Sequence, residues 1–135
     1  VIIVARPPNW DQIVAAFPQA ATRKGVLFAH GEDIYNPSDV YVTQALHVHE
    51  AKHCARQFQR ADAWWDRYIA DPEFRYEEEL LGHAEELKVH MSTLRDRNAR
   101  YRALSSVAFR LVSDLYNYVP RRSYKQAMAQ LSNLI

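Results

Sequence analysis

Two hydrophobic periods alternate along this chain, and each predicts a different kind of element. Val1 to Ala5 is a short apolar, β-branched run stopped by Arg6-Pro7-Pro8, which predicts a strand. Trp10, Ile13, Val14 and Phe17 then recur at three- and four-residue steps. That spacing predicts a helix over 10–17, with Asn9 as its cap and Pro18 just past its end. Gly25 to His30 reads as a second strand, Gly31-Glu32-Asp33 as a turn, and Ile34-Tyr35 as the return of a short hairpin. Asn36-Pro37-Ser38-Asp39 carries the residues of a helix start: a capping Asn, Pro at the first helical position and a carboxylate near the free amides. A long helix is expected from there to about Gln59. Beyond it the pattern predicts a short aromatic helix over 63–69, a break at Asp71-Pro72, and a longer helix from Glu73 to Arg97. Two further helices, near 101–118 and 123–134, complete an expected α+β fold that is mostly helical with a small N-terminal β-sheet.

Composition narrows the class. A chain of 135 residues with three glycines and six prolines, no linker-like cluster and no internal repeat, is expected to form a single domain over 1–135. Lys plus Arg is 17 and Asp plus Glu is 16, so the net charge of +1 argues against a dedicated nucleic-acid binder or a polybasic membrane anchor. Arg121-Arg122 and Lys125 form one short basic patch, read as a solvated helix start. The single Cys54 excludes an internal disulfide. No apolar run approaches the roughly 18 residues of a membrane span, and no secretory leader is expected.

The chemistry concentrates at His49-Glu50-Ala51-Lys52-His53. Residues four apart on a helix project from one face, so both imidazoles can converge on one metal ion. Glu50 lies roughly 100° around the helix from His49, within reach of a water at the metal without being obliged to bind the ion. That is a general-base position. With six His and eight Glu in the chain, about 0.015 chance occurrences of the pattern are expected. Val42, Ala45 and Leu46 continue the histidine face towards the N-terminus, as a partly buried stripe would. Zn2+ held by three protein ligands acidifies its water, so the implied reaction is peptide or amide hydrolysis.

A third ligand is needed, and Glu77-Glu78-Glu79 stand early on the next long helix. Helical phase groups Glu77 with Leu80, Leu81, Ala84 and Met91, which nominates Glu77 on burial alone. Glu79 shares its side with Arg75, Gly82, His83 and Glu86, a more polar stripe that suits a cleft at the border of the core. Glu78 is a neighbour that could swing in.

The order H-E-x-x-H, a Trp-Trp and Tyr segment, then F-R-x-x-x-E with a small residue three positions on resembles compact zincin-like metallopeptidases. With Ile34-Tyr35-Asn36-Pro37 and Glu78-Glu79-Leu80 before His83, the stretch from Ile34 to Glu86 resembles small HExxH proteins of bacteriophages and prophages. The resemblance implies His49 and His53 as zinc ligands, Glu50 as catalytic base and Glu79 as the third, gluzincin-type ligand. It further implies a protein, peptide or peptidoglycan substrate, a cytoplasmic (host-cell) or virion-associated location, and phage protein partners. Gly82, where such proteins often carry Ala, is a departure.

The remaining candidates read as follows. His47 is structural, because one helix cannot aim residues 47, 49 and 53 at one ion. His83, one turn after Glu79, could orient that carboxylate or stabilise an oxyanion. Cys54 is a small core hydrophobe facing Phe58. Trp64, Trp65 and Tyr68 form a packing platform. Arg75 pairs with a neighbouring acid or solvates the helix start. Tyr116, Tyr118 and Tyr124 are open candidates for polarising a carbonyl. The strand over 25–30 offers an edge for an extended peptide. A metal-stabilised structural or interaction module is the rival to the peptidase, and nucleic-acid binding ranks last.

Overall fold

Short apolar runs with β-branched residues and long runs with helical spacing give, in a computed structural model describing residues 1–135, one small sheet followed by a helical body. In chain order the elements are β1 (Ile2–Ile3), α1 (Trp10–Ala16), α2 (Gln19–Thr22), β2 (Phe28–His30), β3 (Asp33–Tyr35), α3 (Gln44–Gln57), α4 (Ala61–Ala70), α5 (Pro72–Thr93), α6 (Arg97–Leu111) and α7 (Tyr124–Leu134), with a 3₁₀ turn at Asp114–Tyr116. The sheet order is β1-β3-β2. β1 runs parallel to β3 with Ile2 opposite Ile34, and β2 runs antiparallel to β3 with Ala29 opposite Ile34. The fold is α+β, mostly helical with a small N-terminal sheet. No helix is long and apolar enough to cross a membrane.

Two apolar clusters flank the junction of α3 and α5. One joins α5, α6 and α7 around Leu87, Val107, Leu111 and Leu131. The other joins α1, β2 and α4 around Ile13, Phe17, Phe28 and Trp65. The buried positions of α3 are Ala45, His49, His53 and Gln57, a stripe of strict four-residue steps. This stripe carries the two histidines into the seam between the clusters.

Several boundaries differ from the sequence expectation. Asn36-Pro37-Ser38-Asp39 is a loop. The buried Asn36 amide donates to the Val40 carbonyl at 2.8 Å and accepts from the Val40 N–H at 3.2 Å, and Asp39 sits at φ +51°. The short-range hydrogen bonding that makes Asn a good cap serves equally well to close a loop. The true cap is Thr43, whose hydroxyl accepts from Leu46 N–H. Helix α5 stops at Thr93 instead of Arg97, and Asp96 caps α6 by accepting from Ala99 N–H. No Gly or Pro marks that break. Helix α6 ends at Leu111, leaving Tyr116 in the 3₁₀ turn and Tyr118 in the loop beyond. The short α2 after Pro18 was not expected.

Arg75 explains how the segment after α6 is held. Its buried guanidinium donates to four backbone carbonyls, those of Tyr68, Ile69, Tyr116 and Asn117. It neither pairs with an acid nor solvates the helix start, the two roles expected of it. A planar fork with five donors can satisfy carbonyls from two chain segments at once, and here it ties the 3₁₀ turn to the end of α4.

Candidate metal centre

The approach of α5 to α3 depends on a missing side chain. A Cβ built at Gly82 would lie 2.9 Å from His49 Nε2 and 3.0 Å from its Cδ2. With hydrogen in that place, α5 passes directly over the imidazole and brings Glu79 onto the histidine pair. His49 Nε2 and His53 Nε2 stand 3.1 Å apart, and Glu79 Oε1 lies 3.1 Å from the first and 3.2 Å from the second. All three residues are buried. The Tyr68 hydroxyl donates to the other carboxylate oxygen at 3.1 Å, which fixes the plane of the Glu79 carboxylate.

A second set of contacts lies behind His49. His49 Nδ1 donates to Glu86 Oε1 at 3.2 Å, and His83 Nδ1 donates to the same oxygen at 3.1 Å. Arg110 pairs with the opposite oxygen of Glu86. With Nδ1 of His83 carrying its proton, Nε2 accepts from the Tyr116 hydroxyl at 2.9 Å. His53 is held differently: its Nδ1 has no hydrogen-bond partner, and its ring packs on Trp64 with centroids 5.5 Å apart. Trp64 is fixed in turn by donating to Glu78 at 2.6 Å.

The three consecutive acids therefore point three ways. Glu77 is solvent-exposed, Glu78 is buried against Trp64 and Arg56, and Glu79 faces the histidines. Glu50 is half-buried and lines the same cavity as His49, His53 and Glu79, a space of about 720 Å³. The apolar wall of this cavity includes Ile13, Phe17, Leu27 and Trp65, and four arginines, Arg23, Arg110, Arg121 and Arg122, lie along it.

Electrostatics follow from burial and from these contacts. Burial alone would lower the pKa of His49, but its hydrogen bonds to Glu79 and Glu86 outweigh that and hold it at about 10. Burial likewise pushes the Glu79 carboxyl up, yet the charge of His53 and the bonds from both histidines bring it well below the usual range. Glu86 also ends below that range, its burial outweighed by bonds from His49 and His83. Glu50 goes the other way: burial raises it, only partly countered by the charges of His49 and His53. Burial and the charge of His49 lower His83.

The donor set fits a divalent ion with a taste for nitrogen and oxygen. Zinc bonded at 2.0–2.1 Å in a tetrahedral site separates its ligand atoms by about 3.3 Å, and His49, His53 and Glu79 form a triangle with edges of 3.1, 3.1 and 3.2 Å. All three atoms turn inward and Gly82 keeps the space above His49 clear. His49, His83 and Glu86 form a second buried group of metal-binding residue types. Its Glu86 already accepts from two histidines and pairs with Arg110, an arrangement that suits an outer carboxylate behind His49 better than a metal ligand.

Other singled-out residues fall as follows. His47 is exposed. Cys54 is half-buried with its Sγ towards the Asp33 carbonyl, and Phe58, its expected neighbour in the core, is 71% exposed. Tyr68 belongs to the aromatic platform, stacked on Trp64 at 4.8 Å, while its hydroxyl serves Glu79. Tyr116 and Tyr124 line the cavity. Lys125 is exposed. The outer edge of β2 is partly occupied: the Ala29 carbonyl accepts from Gln57 and Trp65, and Gly31 N–H donates to Gln57. The strand is also only three residues long, Phe28–His30, where the sequence pattern predicts one over 25–30. Sequence reasoning missed Glu86 and Tyr68 as members of the site, although Glu86 had already been grouped with Glu79 on one helix face. No protein family, curated protein or solved structure matches this chain, so the residues themselves carry the functional argument.

Proposed function

We propose that this chain is a zinc-dependent peptidase of the gluzincin kind, hydrolysing peptide or amide bonds in a protein, peptide or peptidoglycan substrate. The observation that carries the reading is the convergence of His49 Nε2, His53 Nε2 and Glu79 Oε1 within 3.2 Å, beside Glu50 on the wall of a large cavity. Zinc held by those three residues would supply a Lewis acid and a more acidic water. Glu50 accepts the proton that the attacking water loses and returns it to the leaving amine. Once His49 gives up its Nε2 proton to a metal, the bond from its Nδ1–H to Glu86 would keep the Nε2 lone pair facing inward, and Tyr68 stops the Glu79 carboxylate from rotating.

Glu50→Gln tests the reading, because it keeps the shape and removes the base. Metal content is expected to stay at the wild-type level while hydrolysis falls about a hundredfold or more. Cleavage at the wild-type rate by Glu50→Gln would overturn the mechanism. Metal-loaded protein that is inert across peptide and cell-wall screens would instead support a metal-stabilised structural module.

A further inference from the structure

Next to the main cavity lies a smaller polar pocket of about 250 Å³, between Gln19 of α2 and the segment 112–122. The two share Val112, Ser113, Asp114, Arg121 and Arg122 as lining residues, so the pocket adjoins the main cavity. Two polar atoms on its lining residues have no hydrogen-bond partner within the chain: the hydroxyl of Tyr118, a residue only 6% exposed, and Nε of Arg122. The guanidinium Nε–H can only donate. Burial keeps the Tyr118 hydroxyl protonated, so it too has a hydrogen to give.

Two unmet donors, one of them on Arg122, with the Arg121 guanidinium beside them, call for an acceptor-only, negatively charged group. The space is smaller than the 300–1,000 Å³ typical of whole-ligand sites, which suits one end of a ligand whose remainder lies in the main cavity. Arg121 and Arg122 already pair with Asp114 and Glu73, but those acids are 65% and 63% exposed. Exposed pairs of this kind are weak and exchange readily for a better-placed acceptor.

We infer that this pocket is a carboxylate-binding subsite, in which Tyr118 and Arg122 hold a carboxylate of the ligand that occupies the cleft. As a substrate subsite it rests on the peptidase reading above; as a carboxylate site it does not. The carboxylate is either the free C-terminus of a peptide or the side chain of an acidic residue.

Calorimetric titration of the zinc-loaded full chain separates the cases without needing turnover. The probes are N-acetyl-leucine, its neutral amide, and N-acetyl-aspartate blocked as its α-amide. Both acids are expected to compete for one site, at least one of them binding about tenfold tighter than the neutral amide. Tighter binding of acetyl-leucine identifies the chain end, and tighter binding of the aspartate derivative identifies an acidic side chain. Tyr118→Phe and Arg122→Gln should each remove most of the preference for the acid. Removing an unpartnered hydroxyl leaves the fold intact, so Tyr118→Phe with an unchanged melting temperature shows that lost binding is not lost structure. Equal affinity for acid and amide, no binding of either acid, or a preference that survives both substitutions overturns the inference; in the last case the carboxylate is sitting on the metal. Confirmed binding in a protein that cleaves nothing would sink only the peptidase reading.

Discussion

At the scale of single residues the site turns on hydrogen at Gly82. An alanine methyl there would press on His49 at 2.9–3.1 Å, against the ring edge that includes Nε2. The ring is held behind by Glu86, so it cannot retreat without breaking that bond. Gly82→Ala is therefore expected to weaken zinc binding about tenfold or more, comparable to losing an outer-shell partner, as measured by chelator competition. Affinity equal to wild type would mean that α5 shifts freely. The neighbouring acids give a sharper contrast: Glu79→Ala should abolish stoichiometric zinc, while Glu77→Ala leaves it unchanged, both read by elemental analysis. Helical phase nominated Glu77, because its neighbours Leu80, Leu81 and Ala84 are apolar. The structure has Glu77 exposed and Glu79 buried on the polar stripe with Gly82, His83 and Glu86. That stripe was legible in the sequence. What was not legible is which side of α5 faces α3, since a metal seam is lined by polar residues and hydrophobic periodicity measures only the apolar side.

At the scale of elements, α3 and α5 place the three candidate ligands, and their ends are set by caps of uneven visibility. Asp71-Pro72 was readable because the break, the acid and the proline coincide, and Asp71 indeed accepts from Glu73 and Phe74 N–H. Asn36-Pro37 offered the same chemistry and forms a loop, because its partner Val40 is four residues on in the chain and a buried amide can bond both of that residue's backbone groups. Thr43, the working cap, is followed by no proline or acid that would single it out. Thr43→Ala should accordingly cost about 1 kcal/mol of stability in chemical denaturation. Ser38→Ala, exposed in the loop and without a hydrogen bond, should cost nothing measurable. A loss from Thr43→Ala no larger than that from Ser38→Ala would mean that Thr43 does not cap α3.

For the whole molecule, a metal bound as proposed would compete with protons for the same atoms, which links stability to pH. His49 has a folded pKa of about 10 against an ordinary value of 6.5. A raised value of this kind stabilises the metal-free fold fully below pH 6.5, and the contribution is lost as pH rises towards 10. Glu79 and Glu86, held low, contribute in the opposite sense: their stabilisation is fully present above the ordinary carboxylate range and is lost as pH falls below it towards their lowered folded values. Metal binding requires the proton on His49 to leave, so affinity strengthens over the interval in which the metal-free fold weakens. Bound ligand adds stability in proportion to the logarithm of its concentration over Kd. The melting temperature of metal-free protein should therefore fall from pH 6.5 towards pH 10, while the gap between zinc-loaded and metal-free protein widens over the same range. Scanning calorimetry at fixed free zinc checks both. A gap that stays constant or narrows with rising pH would mean that zinc does not displace the His49 proton, and so that His49 is not a ligand.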